Sequence, residues 1–255
     1  MARLDDKLGV YPERPLVSAT ERSLLDAVLA APEDRGPRLV YADYLLVRTE
    51  PELHARGELI VTQYKLDDLL ASAPPELRSR EHELLDHYGR TWTSWIGFRG
   101  PRWNVEFRGG FMEDVEIHAT NIAIAARLFT SEPVRRLVIT EPTEQLGRLE
   151  TMVFLERLHT FGLRDTYFGA PRIAQILASP HLHAIRGLVL EHSRLTSVAL
   201  DHLAELTELR VAHNQISDVS SLVQLPLRVL DVSHNPVNVA AVAQLCAMTT
   251  LERLD

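Results

Sequence analysis

Two periodicities divide the chain. Over residues 18–88 apolar side chains fall three and four apart, the spacing of one helix face, whereas from Met112 onward they alternate over short runs at regular intervals. Ser18-Ala-Thr-Glu21 has capping-box spacing, and Leu24, Leu25, Val28 and Leu29 follow on one face until Pro32, which predicts a first helix. Pro37 fits the first turn of a second helix carrying Leu39, Val40, Leu45 and Leu46. A third is expected over residues 52–70, with Leu59, Ile60, Tyr64 and Leu66 apolar, and a fourth over 76–88 after the Pro74-Pro75 break. Aromatic residues then gather: Trp92, Trp95, Phe98, Trp103, Phe107 and Phe111. Arg108-Gly-Gly110, between Val105-x-Phe107 and Phe111, reads as a hairpin turn.

In the second half one pattern is written three times. It runs Ile185-x-x-Leu188-x-Leu190-x-x-Ser193-x-Leu195, then Leu206-x-x-Leu209-x-Val211-x-x-Asn214-x-Ile216, then Leu227-x-x-Leu230-x-Val232-x-x-Asn235-x-Val237, with the same step each time. Alternation over Leu209-Arg210-Val211 sends two side chains inward and one outward, as in a strand. Asn214 and Asn235 are expected to turn inward and bond backbone groups at the bend, where an unmet group costs about 1–3 kcal/mol. A single amphipathic helix fits neither the period nor Pro226 and Pro236. The same register finds weaker copies at Met112-x-x-Val115-x-Ile117, Val134-x-x-Leu137-x-Ile139 and Leu158-x-x-Phe161-x-Leu163, where Thr120, Pro142 and Thr166 replace the asparagine. The second anchors are Val115, Leu137, Phe161, Leu188, Leu209 and Leu230, and the longest step, from Phe161 to Leu188, suits an extra helical turn. Return arms over 122–129, 173–177, 198–206 and 239–245 are predicted as short helices. His192, His213 and His234 share one column, which would stack them within roughly 5 Å.

This pattern resembles the leucine-rich repeat, whose strand and return arm cannot bury their apolar face without stacked neighbours. Ahead of it, Ala31-Pro-Glu-Asp34, Pro37-Arg-Leu-Val-Tyr-Ala-Asp-Tyr-Leu45, Arg56-Gly-Glu-Leu-Ile60 and Gln63 resemble the bacterial repeat-companion domain. That likeness covers roughly residues 20–65; Tyr44 stands where the family usually has tryptophan, and Pro51-Glu-Leu-His-Ala55 reads as an altered loop. It implies a helical head on a repeat array and carries no catalytic residue. The expected fold is therefore α/β: a helical module capping a leucine-rich repeat solenoid, with parallel strands on the concave face and short helices on the convex face. Residues 1–17, polar with Pro12 and Pro15, are expected as an arm, 18–100 as the helical module and 101–255 as the repeat domain. The repeat domain would open on the hairpin, with aromatic bulk covering the first coil.

An apolar fraction of 45% supplies a core, and a formal charge of −8 argues against a nucleic-acid or anionic-membrane binder, both of which need a basic field. Residues 1–10 lack the apolar run of a signal peptide, and the single cysteine excludes an internal disulfide, so a reducing cytoplasm is expected. Cys246, among Ala243, Leu245 and Met248, reads as a core thiol.

Candidate chemistry is sparse. Asp43 and Glu58 are the suspect acids, but Arg38 and Arg48 lie at helix-compatible separations from Asp43 and suggest an ion pair. Tyr41, Tyr44 and Tyr64 suit core packing with hydroxyls at the rim, or an aromatic partner site. Arg99, Arg102 and Arg108 beside the aromatics would suit a nucleic-acid platform, which the acidic balance disfavours. His181-x-His183 has no cysteine or acid at ligand spacing, and no phosphate loop, metal motif or nucleophile elbow occurs. No enzymatic activity, metal or cofactor is expected.

What remains is a face. Its outward residues are Glu116 and His118, Val138 and Thr140, Gly162 and Arg164, Val189 and Glu191, Arg210 and Ala212, Asp231 and Ser233. Mixed in sign and small, it suits a protein or peptide partner, with Glu116, His118, Arg164, Glu191, Arg210, Asp231 and Ser233 as contacts. The alternative is a structural spacer or self-assembling scaffold subunit. Thr250-Leu-Glu-Arg-Leu-Asp255 starts a seventh copy with Leu251 and Leu254 as anchors, which raises the expectation of partner capping or self-association through residues 239–254.

Overall fold

The computed structural model describes residues 18–98, 103–143, 146 and 149–255; the expected N-terminal arm and Arg99 and Arg102 lie outside them. The fold is mixed α/β, with a helical N-terminal region and eight mostly parallel strands that hydrogen-bond in chain order. Two compact units divide the described residues, one within Met1–Gly100, Val105–Asp114 and Ala123–Val134, the other within Pro101–Asn104, Val115–Ile122 and Arg135–Asp255.

In the first unit, α1 (Ala19–Ala30) begins where Ser18 accepts a hydrogen bond from the Glu21 amide. The Glu21 side chain turns inward, and its carboxylate accepts from the Tyr41 hydroxyl at 2.8 Å. On α2 (Arg35–Leu46) the buried stripe is Arg38, Tyr41, Ala42 and Leu45. Leu39 and Val40, expected inside, are exposed, because Arg38 takes the inward position and shifts the stripe by one residue. α3 (Pro51–Leu69) starts at Pro51, so residues 51–55 are not a loop: proline at the first helical position lacks only an amide that would have no partner there. α4 (Pro75–Thr93) runs one turn beyond the predicted end. Gly57 lets α2 and α3 approach, since a Cβ there would lie 2.9 Å from the Ala42 carbonyl oxygen.

The hairpin of β1 (Trp103–Arg108) and β2 (Phe111–His118) turns at Gly109 and Gly110, both with positive φ. Residues of the helical module hold the turn. Arg38 donates to the Arg108 carbonyl, Arg56 Nε to the Gly110 carbonyl at 3.0 Å and Gln63 Nε2 to the Phe107 carbonyl, while Gln63 Oε1 accepts from the Gly110 amide. Arg56 Nη2 also reaches both oxygens of Glu132, at 2.9 and 2.8 Å, and the two side chains are 2% and 0% exposed. Glu132 in turn accepts from the Met112 amide. Of the aromatic residues, Phe111 packs against Leu25, Val28, Tyr41 and Ile60, and Trp92 with Phe107 against Ala55, Leu59 and Leu84, while Trp103 is exposed. α5 (Ile122–Leu128), the first return arm, is followed by Ser131 and Glu132, both buried.

In the second unit β3 (Arg136–Thr140), β4 (Thr160–Arg164), β5 (Gly187–Val189), β6 (Glu208–Arg210), β7 (Val229–Asp231) and β8 (Arg253–Leu254) pair in parallel. The pairing is anchor to anchor: Leu137 with Phe161, then Leu188, Leu209, Leu230 and Leu254 in turn. All of these but Leu254, which is half-buried, are fully buried. Asn214 does what its position requires. Its Oδ1 accepts from the Ser193 and Leu195 amides, and its Nδ2 donates to the carbonyls of Leu190, Val211 and Ala212. Asn235 repeats this one strand on, accepting from the Ile216 amide and donating to Val211, Val232 and Ser233. In the earlier copies the backbone bonds directly, as from the Tyr167 amide to the Pro142 carbonyl, and the buried Thr166 hydroxyl has no partner among the described residues.

Return arms differ from step to step. The long step from Phe161 to Leu188 holds α6 (Ala170–Leu177) and a 3-10 turn at Pro180–Leu182, and the step from Leu230 to Leu254 holds α7 (Val239–Cys246). The arm over 198–206, expected as a helix, is a chain of turns closed by Leu203 to Leu200 and Leu206 to Leu203 amide bonds. Val198, Leu200, Leu203 and Leu206 are buried without a helix, although the step from Val115 to Leu137, of nearly the same length, holds α5. Cys246 is exposed, contrary to the core reading: α7 buries Ala241 and Leu245, and the next residue after that i, i+4 stripe points away.

Candidate functional site

The face opposite the buried anchors is built by residues one and three after each anchor. Five of those expected to be outward are buried, namely Val138, Thr140, Gly162, Val189 and Ala212. At Gly162 a Cβ would lie 2.9 Å from both Val138 Cγ2 and Val189 Cβ, so these two valines close over the glycine. Arg164 covers the rest. Its Nη1 donates to both oxygens of Glu116 at 2.9 Å, and its Nε donates to Glu191 Oε2 at 2.9 Å. Since β3 lies between β2 and β4, the Arg164 to Glu116 bridge passes across β3, where Thr140 is in register with Arg164. Pairs about a quarter exposed contribute on the order of 0.2–1 kcal/mol each; their main effect is to fix three long side chains in place.

Further along, Arg210 donates from Nε to Glu208 Oε1 at 2.8 Å. Its pKa is raised first by that bond, with burial opposing and the fields of Glu208, Glu191 and Asp231 adding. Asp231 Oδ1 accepts from both the amide and the hydroxyl of Ser233. His118 Nδ1 accepts from the Thr120 amide, which leaves Nε2 facing Glu141 at 3.8 Å. The structure thus brings Glu116, Arg164 and Glu191 into one network and holds Arg210, Asp231 and Ser233 beside it. Sequence reasoning missed the residue before each anchor, where Glu208 and Arg253 add charge; the alternation that placed Arg210 outward also places Glu208 outward.

The histidine column forms a stack. His192 and His213 rings lie 4.2 Å apart at 12°, and His213 and His234 3.9 Å apart at 11°. All three have left-handed backbone, with φ of 52°, 56° and 56°, and Glu141 and Asp165 occupy the same conformation in the earlier copies. One unusual dihedral repeated at parallel-strand spacing gives each ring the same exit direction, and stacking follows. The pKa of His213 is lowered, first by loss of water where the rings cover one another and then by His234 and His192, against the raising fields of Glu191 and Asp231. With the folded pKa below the unfolded value near 6.5, the native state binds fewer protons, so stability is full above about pH 6.5 and falls as pH drops below it. His213→Gln is expected to flatten this fall in low-salt denaturation series; an NMR pKa for His213 equal to or above those of its neighbours would contradict the account.

The other candidates resolve into structural roles. Asp43 is exposed and Arg38 pairs with Glu113 rather than with it, because Arg38 points into the core. Glu58 receives two hydrogen bonds from Arg80, which hold its carboxyl below the usual carboxylate range. Tyr41 is buried on Glu21, and the Tyr44 hydroxyl meets Ser18 Oγ. Arg108 faces Glu106. An acid does meet His181: Nδ1 lies 2.6 Å from Glu156 Oε1. Among the described residues no cluster of three or more His, Cys, Asp or Glu is placed to hold a metal ion, and no helix is long and apolar enough to cross a membrane. A cleft of about 560 Å³ in the first unit mixes Leu66, Leu70 and Phe107 with Asp67, Arg78 and Glu81, without a convergent reactive pair. No protein-family model matches the chain, and no curated protein matches it.

Proposed function

We propose that the chain is a protein–protein interaction module of the bacterial cytoplasm, a repeat-companion helical module ahead of a leucine-rich repeat solenoid that binds a protein or peptide on its concave face. One observation carries this: parallel strands in anchor register display Glu116, His118, Arg164, Glu191, Arg210, Asp231 and Ser233 on one face, several of them held by neighbours. Side chains fixed before binding lose less entropy on association, and alternating charge selects a protein surface over a phosphate backbone or lipid. In this reading the Arg38, Arg56 and Gln63 contacts to the hairpin turn are structural, and no catalytic role is assigned.

Capture from cell extract tests it. A reproducible partner that is lost when Glu191→Arg, Arg210→Glu and Asp231→Arg are combined, with the fold retained by circular dichroism, supports the module. The second reading, a spacer or self-assembling scaffold, is favoured by the way Arg164 and Arg210 are satisfied within the chain. Absence of any reproducible partner, with no effect of the substitutions, would favour it.

A further inference from the structure

We propose that the column His192, His213 and His234, with Arg194 beside it, is a docking strip for an acidic segment of a partner protein, bound together with protons. The three residues are exposed and share one backbone conformation, so they present a row of ring edges about 4 Å apart. The first and third rings are about 8 Å apart along the stack. Carboxylates two residues apart on an extended peptide lie about 7 Å apart on one side, close to that span. Arg194 is exposed, also has left-handed backbone, and forms no salt bridge among the described residues.

The two acids whose fields reach His213, Glu191 and Asp231, are both engaged within the chain. Glu191 is bonded to Arg164, one Asp231 oxygen takes two hydrogen bonds from Ser233, and Arg210 is paired with Glu208. Asp165 and Glu141 continue the column past His192 as acids. Protons added to stacked rings repel one another, and a carboxylate laid along the edges relieves that repulsion, so anion binding and protonation assist each other. Nearly parallel rings also send their nitrogen lone pairs out in parallel. Two neighbours therefore do not converge on one metal ion at about 2.0–2.1 Å.

The proposal takes only its class of partner from the interaction-module reading; its test uses the strip alone. A peptide with glutamate at alternate residues is titrated into the full chain by calorimetry at about pH 7.5, 6.5 and 5.5, in two buffers of different ionisation heat. Expected is uptake of about one proton on binding, with affinity rising up to about tenfold per pH unit. The glutamine version of the peptide should not bind, His213→Gln should lose the proton uptake, and Arg194→Gln should weaken binding at every pH. No binding at about pH 5.5, an affinity independent of pH, or unchanged uptake in His213→Gln would overturn the proposal. Inorganic phosphate binding as well as the peptide would also overturn it, in favour of a free-anion site, and zinc binding at the column would replace it with a metal site. Failure here with partner loss in the Glu191, Arg210 and Asp231 variant would leave the interaction module standing, and the reverse pattern would leave the strip.

Discussion

Arg56→Ala is expected to destabilise the first unit by about 3–5 kcal/mol, the cost of leaving one partner of a buried ion pair uncompensated. Glu132 has no exposed surface, so its carboxylate would lose Nη2 of Arg56 without water to replace it. The same substitution removes the donor to the Gly110 carbonyl and the guanidinium 5.2 Å from the Phe111 ring. Trp92, whose ring lies 5.7 Å from Phe107, reports the loss by fluorescence in urea. Arg56→Met combined with Glu132→Gln should recover much of the stability, because no buried charge remains while an acceptor for the Met112 amide does. A single substitution costing under about 1 kcal/mol would show that the pair is not closed from water.

Leu209→Ala should cost about 2–5 kcal/mol through the cavity it leaves, while Arg210→Ala should stay within about half a kcal/mol. Leu209 is fully buried between Leu188 and Leu230 in register, whereas the Arg210 side chain is 42% exposed and pairs with Glu208 of its own strand. Such unequal costs at adjacent residues are what a period of two demands. Comparable denaturation midpoints would place the register one residue off.

The anchors and asparagines were legible because the repeat states each constraint several times over: a misread Leu209 would also misread Leu188 and Leu230. Step length was legible too, but it does not decide which arm is helical. Residues 198–206 carry apolar spacing that suits a helix, yet bury those side chains in successive turns. The outward face was half legible. Alternation placed Val138 and Val189 outward correctly, but exposure also depends on the neighbouring strand, where the two valines close over Gly162 and Arg164 reaches across to Glu116. Arg56 and Glu132 are 76 residues apart in sequence, and no local pattern links them. Cys246 shows the converse limit, since apolar neighbours in sequence do not fix which side of a short helix is buried.

The most direct test of the proposed interaction surface is site-specific photo-cross-linking in cells. A benzophenone side chain would be placed at Arg210 or Asp231 on the sheet face, and at Glu205 or Gln224 on the return segments, both exposed. The account expects a discrete adduct from positions 210 and 231 and none from 205 and 224. Adducts of equal yield from all four positions, or from the return segments alone, would contradict it.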